Sequence, residues 1–246
     1  IGIPYSYISP TAYLKTNVEG TLNVLEASKN LRLKQVIITS TSEVYGTAKS
    51  ENLSEQSPLS AQSPYAASKI AADQLALSYY NSFNLPVKII RPFNTFGPRQ
   101  SLRAIIPTIL FQMMQSNNSV IKLGNTKITR DFTYVEDLCS AYSELIKSKK
   151  ALGQVVNVGS NNEISIEKII SKASKILNKK FKIKKDKKRI RPKNSEVYRL
   201  KCNNSKLKKL TSWKVLNNFE LGLKKTLVWI KKRKSLDNFK IKDYNI

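Results

Sequence analysis

Residues 35–46 read Gln35-Val36-Ile37-Ile38-Thr39-Ser40-Thr41-Ser42-Glu43-Val44-Tyr45-Gly46. The opening β-branched run has the pattern of a short strand buried on both faces. It passes directly into a cluster of hydroxyls with one carboxylate. Upstream, Asn17 to Lys29 has helical spacing, with Val18, Leu22, Leu25 and Ala27 predicted on its apolar side. Downstream, Ser63-Pro64 is a helix-start signal for a helix over Tyr65 to Asn81, followed by a strand within Pro86 to Arg91. Helices are predicted over Ile105 to Gln115 and Asp137 to Ser148, a strand over Gln154 to Val158, and a helix capped by Ser165 and running to Leu177. Strands separated by helical stretches predict an α/β fold with a doubly wound parallel sheet. Ligands of such sheets bind beyond the carboxyl ends of the strands, which is where the Thr39 to Gly46 cluster falls.

The composition narrows the chemistry. The chain has 246 residues, 41% of them hydrophobic and 24% charged, which suits one large domain or two closely packed ones. It contains no histidine, so a Ser-His-Asp triad, a His-ligated metal and a His general base are all excluded. Cys139 and Cys202 form no C-x-x-C pair, so no metal site is expected, and a reducing, cytoplasmic setting is the simplest reading. No apolar run approaches the roughly 20 residues that span a bilayer, and no signal-like leader opens the chain; no membrane association is expected. The formal net charge of +26 is unevenly spread. Residues 1–146 carry 13 basic and 10 acidic side chains, and residues 147–246 carry 30 and 7. The densest run is Lys179 to Lys193, and Lys231-Lys232-Arg233-Lys234 forms a second block. A nucleic-acid contact is one reading of this half. Aromatic residues are not interleaved with the basic runs as a base-stacking platform requires, so a solvated Lys-rich surface is preferred and no nucleic-acid partner is expected.

A doubly wound sheet invites a search for a glycine-rich phosphate loop. The eight glycines offer neither G-x-G-x-x-G nor G-x-x-G-x-x-G spacing. The chain starts at Ile1 in apolar text, and its methionines are Met113 and Met114. The expectation is therefore a fragment whose first βαβ units lie upstream.

Tyr65-Ala66-Ala67-Ser68-Lys69 places a phenol and an ammonium one helical turn apart. A nearby cation favours phenolate, moving tyrosine from ~10 toward a useful base. A second pair, Tyr45 and Lys49, follows a strand in a predicted loop, where such spacing need not bring side chains together. Tyr65, at a helix start, is the better candidate.

With Thr41-Ser42-Glu43 at a strand end and Tyr65-x-x-x-Lys69 after it, the chain resembles the extended short-chain dehydrogenase/reductase family. Asn17-Val18-Glu19-Gly20-Thr21, Arg91-Pro92-Phe93-Asn94-Thr95-Phe96-Gly97-Pro98, Arg130-Asp131-Phe132-Thr133-Tyr134-Val135-Glu136-Asp137, Arg191-Pro192 and Ser205 to Trp213 resemble further blocks of that family, in order. The family's N-terminal NAD-binding segment has no counterpart here. Glu43 resembles the Glu of nucleotide-sugar 4,6-dehydratases, and Ser42 stands where dTDP-glucose dehydratases have Asp. The Thr-Ser-Glu pattern is similar to that of GDP-mannose 4,6-dehydratases. Inverting UDP-GlcNAc dehydratases have Asp-Lys at this point. The text from Ile3 through Lys69 most resembles the retaining UDP-GlcNAc 4,6-dehydratases of bacterial legionaminic acid synthesis.

The resemblance implies a partial Rossmann domain for NAD over residues 1–102, with 131–159 returning to it, and a nucleotide-sugar-binding domain from 103–130 and 160–246. It implies NAD as a bound cofactor, with Thr39, Tyr65, Lys69 and Pro92 around it. Tyr65 would take the C4 hydroxyl proton, with Lys69 lowering its pKa and Thr41 hydrogen-bonding the C4 oxygen. Glu43 would abstract the C5 proton, with Ser42 beside it as water leaves from C6. Asn94, Arg130 and Arg191 would hold the nucleotide sugar, the arginines on phosphate oxygens. Asp131 and Asp137 are read as structural. A homodimer through paired helices is expected. The open alternatives are a UDP-sugar 4-epimerase, which should not need Glu43, an inactive fragment, and a basic nucleic-acid-binding module.

Overall fold

The computed structural model describes residues 3–232. The chain start at Ile1, and Arg233 and Lys234 of the second basic block, lie outside the described residues.

Helices α1 (Tyr5–Ile8) and α2 (Pro10–Leu14) lead through a wide π turn at Lys15–Glu19 into α3 (Gly20–Asn30). Strand β1 (Val36–Thr39) is followed by a 3-10 turn at Ser42–Tyr45 and by α4 (Pro64–Phe83), β2 (Val87–Pro92) and β3 (Asn94–Phe96). The chain continues through α5 (Ile105–Gln115), β4 (Val120–Leu123), β5 (Thr129–Tyr134), α6 (Val135–Lys147) and β6 (Val155–Val158). The last part comprises β7 (Glu163–Ser165), α7 (Ile166–Leu177), β8 (Lys182–Lys185), β9 (Arg199–Leu200), α8 (Ser205–Leu210) and α9 (Phe219–Lys231).

The predicted strands form one parallel sheet in the order β1-β2-β6, with Ile38 opposite Ile89 and Ile90 opposite Val156. Strand β2 is central, and its first five residues are all buried, Lys88 and Arg91 among them, because both faces of the sheet are covered. Its one lysine, Lys88, reaches the end of α6 and donates to the carbonyls of Leu145 at 2.7 Å and Ile146 at 3.1 Å. A cation at a helix C-terminus satisfies carbonyls that the helix itself leaves unpaired. Strand β5 joins a second sheet: its C-terminal half pairs with β3 in parallel, and its N-terminal half lies between antiparallel β7 and parallel β9. A separate parallel pair, β4 with β8, carries the basic run. All four β8 residues are exposed, so its lysines are a solvated surface.

Four apolar clusters hold these layers together. The largest packs α5, β4, β5, α7 and α9 around Phe96, Phe111 and Phe132. Another packs α3 and α4 on β1 and β2. On the opposite face, α6, Leu207 of α8 and Trp213 cover β2 and β6. The fourth joins Val44 and Tyr45 to Val197, Leu200 and Cys202.

One expectation is corrected. Helix α3 buries Leu25 and Ser28, whereas Leu22 and Val24 are exposed and Ala27 faces outward. The cause lies just upstream: the π turn changes the helical phase, and Asn17 within it donates to Ser68 Oγ of α4 at 2.9 Å, setting the face that meets α4.

Candidate active site

Strand β1 ends at Thr39, and the chain is then pinned. The Ser40 amide donates to the Ile90 carbonyl at 2.7 Å, and the Ser40 hydroxyl donates to Asp73 Oδ2 at 2.8 Å. Thr41 is extended and caps the 3-10 turn by accepting from the Glu43 amide at 3.2 Å. Gly46 ends that turn at φ +63°, a conformation that favours glycine. Successive side chains of a 3-10 turn project about 120° apart, which separates neighbours in this hydroxyl cluster. Thr41 and Glu43 line an open cleft, and Ser42 is buried away from its lining.

Helix α4 begins at a Ser63 cap that accepts from the Ala66 amide at 3.1 Å. Its first turn delivers Tyr65 into the same cleft. Lys69, one turn on, donates to the Thr39 carbonyl at 2.5 Å, next to the exposed Thr39 side chain. The cleft, of about 470 Å³, is also lined by Asn94 from β3, Arg130 from β5, and Arg191. That volume suits a small-molecule ligand. Thr41, Glu43, Tyr65, Asn94, Arg130 and Arg191, spread over 150 positions of sequence, thus share one cavity. Thr39 and Pro92 at their strand ends, and Lys69 on α4, sit beside it rather than in its lining.

The electrostatics show which groups are strained by burial. Burial pushes the Tyr65 phenol above its ordinary value; the Thr41 hydrogen bond pulls it down, and the Glu43 and Asp73 charges push it up. Lys69, expected to lower this phenol, is not among the groups that move it here; the one group that lowers it is Thr41. Burial lowers the Lys69 ammonium, and the Asp73 carboxylate opposes it. Arg130 is lowered by burial, with Glu43 raising and Arg191 lowering it. Arg191 Nη1 lies 3.9 Å from Glu43 Oε2 and 4.0 Å from Glu196 Oε1, beyond hydrogen-bond distance of either. Asn94 Oδ1, Arg191 Nη1 and Glu196 Oε1 are buried polar atoms without a hydrogen-bond partner, all at the cleft. Such atoms are costly unless something polar completes them.

Behind the cleft runs a buried polar chain. Arg91 donates to Asp73 and to the Tyr45 hydroxyl, each at 2.9 Å, and Tyr45 donates to Asn157 Oδ1 at 2.8 Å. Burial pushes Tyr45 up to about 12. Lys49 is exposed, so the alternative tyrosine–lysine pair does not form. Asp131 accepts from the Ser160 and Cys202 amides, and Asp137 from the Leu216 and Asn217 amides; both anchor backbone.

Sequence reasoning missed Gln100, Arg103, Arg189 and Glu196, which also line the cleft. Glu196 had one signal, a carboxylate closing the basic stretch five residues after Arg191. Among the described residues no cluster of His, Cys, Asp and Glu could hold a metal, and no helix is long and apolar enough to cross a membrane.

A parallel sheet with hydroxyl and carboxylate beyond a strand end, faced by a helix that carries tyrosine and lysine one turn apart, has the layout of an extended short-chain dehydrogenase/reductase. The family described as GDP-mannose 4,6 dehydratase matches residues 1–226, and the chain belongs to it. The dTDP-D-glucose 4,6-dehydratase of Dictyostelium discoideum is 32% identical, over 94% of this chain and 62% of that protein. The chain spans 62% to 69% of the length of the first curated relatives it matches. Among solved structures, Pal from Bacillus thuringiensis is 34% identical with a TM-score of 0.85, covering 94% of this chain and 73% of its own. The UDP-glucuronic acid 4-epimerase from Bacillus cereus, solved with UDP-glucuronic acid and NAD, is 30% identical with a TM-score of 0.81, covering 89% and 68%.

Proposed function

We propose that this chain supplies the catalytic and substrate-binding parts of an NAD-dependent nucleotide-sugar 4,6-dehydratase, with UDP-GlcNAc as substrate and a 4-keto-6-deoxy sugar for bacterial surface glycans as product. The observation that carries the reading is Glu43 in one cleft with Thr41 and Tyr65. A 4-epimerase needs the tyrosine but leaves the C5 proton in place, so a carboxylate at this point favours dehydration.

The chain's own residues fit the dinucleotide. An ammonium has three donors, and one of Lys69's serves the Thr39 carbonyl, leaving two for ribose hydroxyls beside the exposed Thr39 side chain. Pro92 closes the end of β2 alongside. The bound dinucleotide supplies the acceptor and donor of the C4 and C6 hydrogens, with no net oxidation. Tyr65 takes the C4 hydroxyl proton while Thr41 orients the C4 oxygen. Glu43 then removes the C5 proton made acidic by the 4-keto group and delivers it to the C6 hydroxyl, which leaves as water. Ser42 acts from behind this turn, on its conformation. Arg130 and Arg191 meet the diphosphate, which completes Arg191 Nη1, and Asn94 meets the diphosphate through its amide N–H or the sugar, where a hydroxyl would donate to its unpartnered Oδ1.

In this reading residues 1–102 and 131–159 form the cofactor side and residues 103–130 and 160–246 the nucleotide-sugar side. The protein acts in the cytoplasm, where free Cys139 and Cys202 stay reduced. It works as a homodimer through α3 and α4, whose Val24 and Phe83 are 50% and 52% exposed.

The test uses the full-length gene product with UDP-GlcNAc, following the 4-keto-6-deoxy product by mass and reduced dinucleotide by absorbance at 340 nm. Glu43→Gln is expected to lose at least about 100-fold in dehydration while C4 oxidation persists. Unchanged dehydration in that variant, or a C4 epimer formed without loss of water, overturns the reading.

A further inference from the structure

Gln62 stands three residues before Tyr65 and outside the lining of the cleft. Its side chain nevertheless joins the two parts of the molecule that form the cleft. On one side, Gln62 Oε1 accepts from the Thr47 amide at 2.5 Å, directly after the turn that carries Glu43. On the other, Gln62 Nε2 donates to the Asn194 carbonyl at 3.1 Å and the Glu196 carbonyl at 3.3 Å. Between those carbonyls, the Ser195 hydroxyl donates back to the Gln62 carbonyl. Ser195 thereby uses its one proton, so the Tyr7 hydroxyl, 2.5 Å away, donates to Ser195 Oγ.

The local backbone is shaped around this amide. A Cβ at Gly46 would lie 2.7 Å from Gln62 Oε1 and 2.6 Å from the Ser60 carbonyl, so only glycine lets the two loops approach. Residue 63 caps α4, so a single four-residue stretch, 62–65, grips the C-terminal segment, starts the helix and presents Tyr65. The gripped segment carries Arg191 and Glu196, the pair facing Glu43 across the cleft. At and beyond Glu196 the segment has other attachments: Thr47 Oγ1 donates to the Glu196 carbonyl at 3.5 Å, the Tyr198 amide donates to Thr47 Oγ1 at 3.2 Å, and the Ala48 amide to the Arg199 carbonyl at 3.0 Å. Within residues 194–196, the Asn194 carbonyl contact to Gln62 is therefore the link nearest Arg191.

We propose that Gln62 is a positioning residue, which sets the Arg191–Glu196 segment against Tyr65 and so fixes the width of the nucleotide-sugar site. This rests on the functional reading above. Gln62 touches no reacting atom; it acts on the site through the backbone it holds.

The informative variant in the full-length protein is Gln62→Glu. It keeps an acceptor for the Thr47 amide but turns an oxygen, in place of the N–H donors, toward two carbonyls. Gln62→Met removes both sides. Hydrogen exchange of amides 190–196 is expected to quicken about tenfold in both variants, with α4 amides unchanged. Calorimetric affinity for UDP-GlcNAc and the KM are expected to weaken about tenfold, with kcat changing less than about threefold. A melting temperature near wild type shows that the variants fold.

Wild-type exchange and affinity in Gln62→Glu, with impairment in Gln62→Met alone, overturn the proposal, because the Thr47 contact would then account for everything. A fall in kcat at unchanged KM also overturns it. Absence of UDP-GlcNAc binding by the wild type overturns the functional reading instead, and the exchange comparison still decides the role of Gln62.

Discussion

Asp131, next to Arg130 in β5, shows what a single buried carboxylate does here. It accepts from the Ser160 amide at 2.8 Å, the Ser160 hydroxyl at 2.6 Å and the Cys202 amide at 3.2 Å, and burial still pushes it up to about 6. An unfolded aspartate titrates near ~3.9, so between roughly pH 4 and 6 the native state binds more protons than the unfolded one. This group's contribution to stability is thus greatest at the acid end of that window and declines as pH rises through it. Asp131→Asn removes the titration but also loses an acceptor for the amides. The variant's loss of stability is therefore expected to be larger near about pH 4.5 than near about pH 7, as measured by urea unfolding at both. A loss independent of pH would show that the carboxyl is not raised.

At the scale of elements, helix ends do much of the placing. Ser63 starts α4 so that Tyr65 falls in its first turn, and Asn84 closes it in the left-handed conformation. Ser165 ends β7 and caps α7 by accepting from the Lys168 amide at 3.2 Å. That cap was legible from Ser165 followed by a helical apolar pattern, although Lys168 replaces the Glu of a capping box. Helix α7 packs its Ile166, Ile169, Ile170 and Ala173 into the largest cluster, so fraying at its start is felt in the core. Ser165→Ala is expected to lower unfolding free energy by about 1 kcal/mol, read from the urea midpoint at unchanged slope. The buried face of α3 was not legible, because its phase is set by a π turn and by Asn17 reaching Ser68 on another helix.

At the scale of the molecule, charge is the outstanding property. A net charge of +26 destabilises the compact state by self-repulsion, mostly in the second half of the chain. Exposed β8 and the helices around it concentrate that repulsion on one surface, which salt screens. Raising ionic strength from about 20 mM to about 300 mM shortens the screening length several-fold and is expected to raise the melting temperature. A flat or falling melting temperature across that range would mean that the lysines are locally compensated.

The sequence by itself determined the three strands of the parallel sheet and the helices around them, the Tyr65–Lys69 turn and the Thr41–Glu43 cluster at a strand end, because these rest on local periodicity and capping; strands β3 to β5 and β7 to β9 were not legible. It also placed Asn94, Arg130 and Arg191 as candidates, through blocks similar to a known family. Only the tertiary structure decided that Glu43 faces the cleft while Ser42 is turned into the core, that burial raises the Tyr65 phenol, that Glu196 lines the cleft and that Gln62 bridges the loops behind it. The physical reason is range. Hydrogen bonds and apolar spacing within a turn are written in neighbouring residues, whereas Gln62 meets Asn194 across 132 positions only because the packed layers bring those loops together.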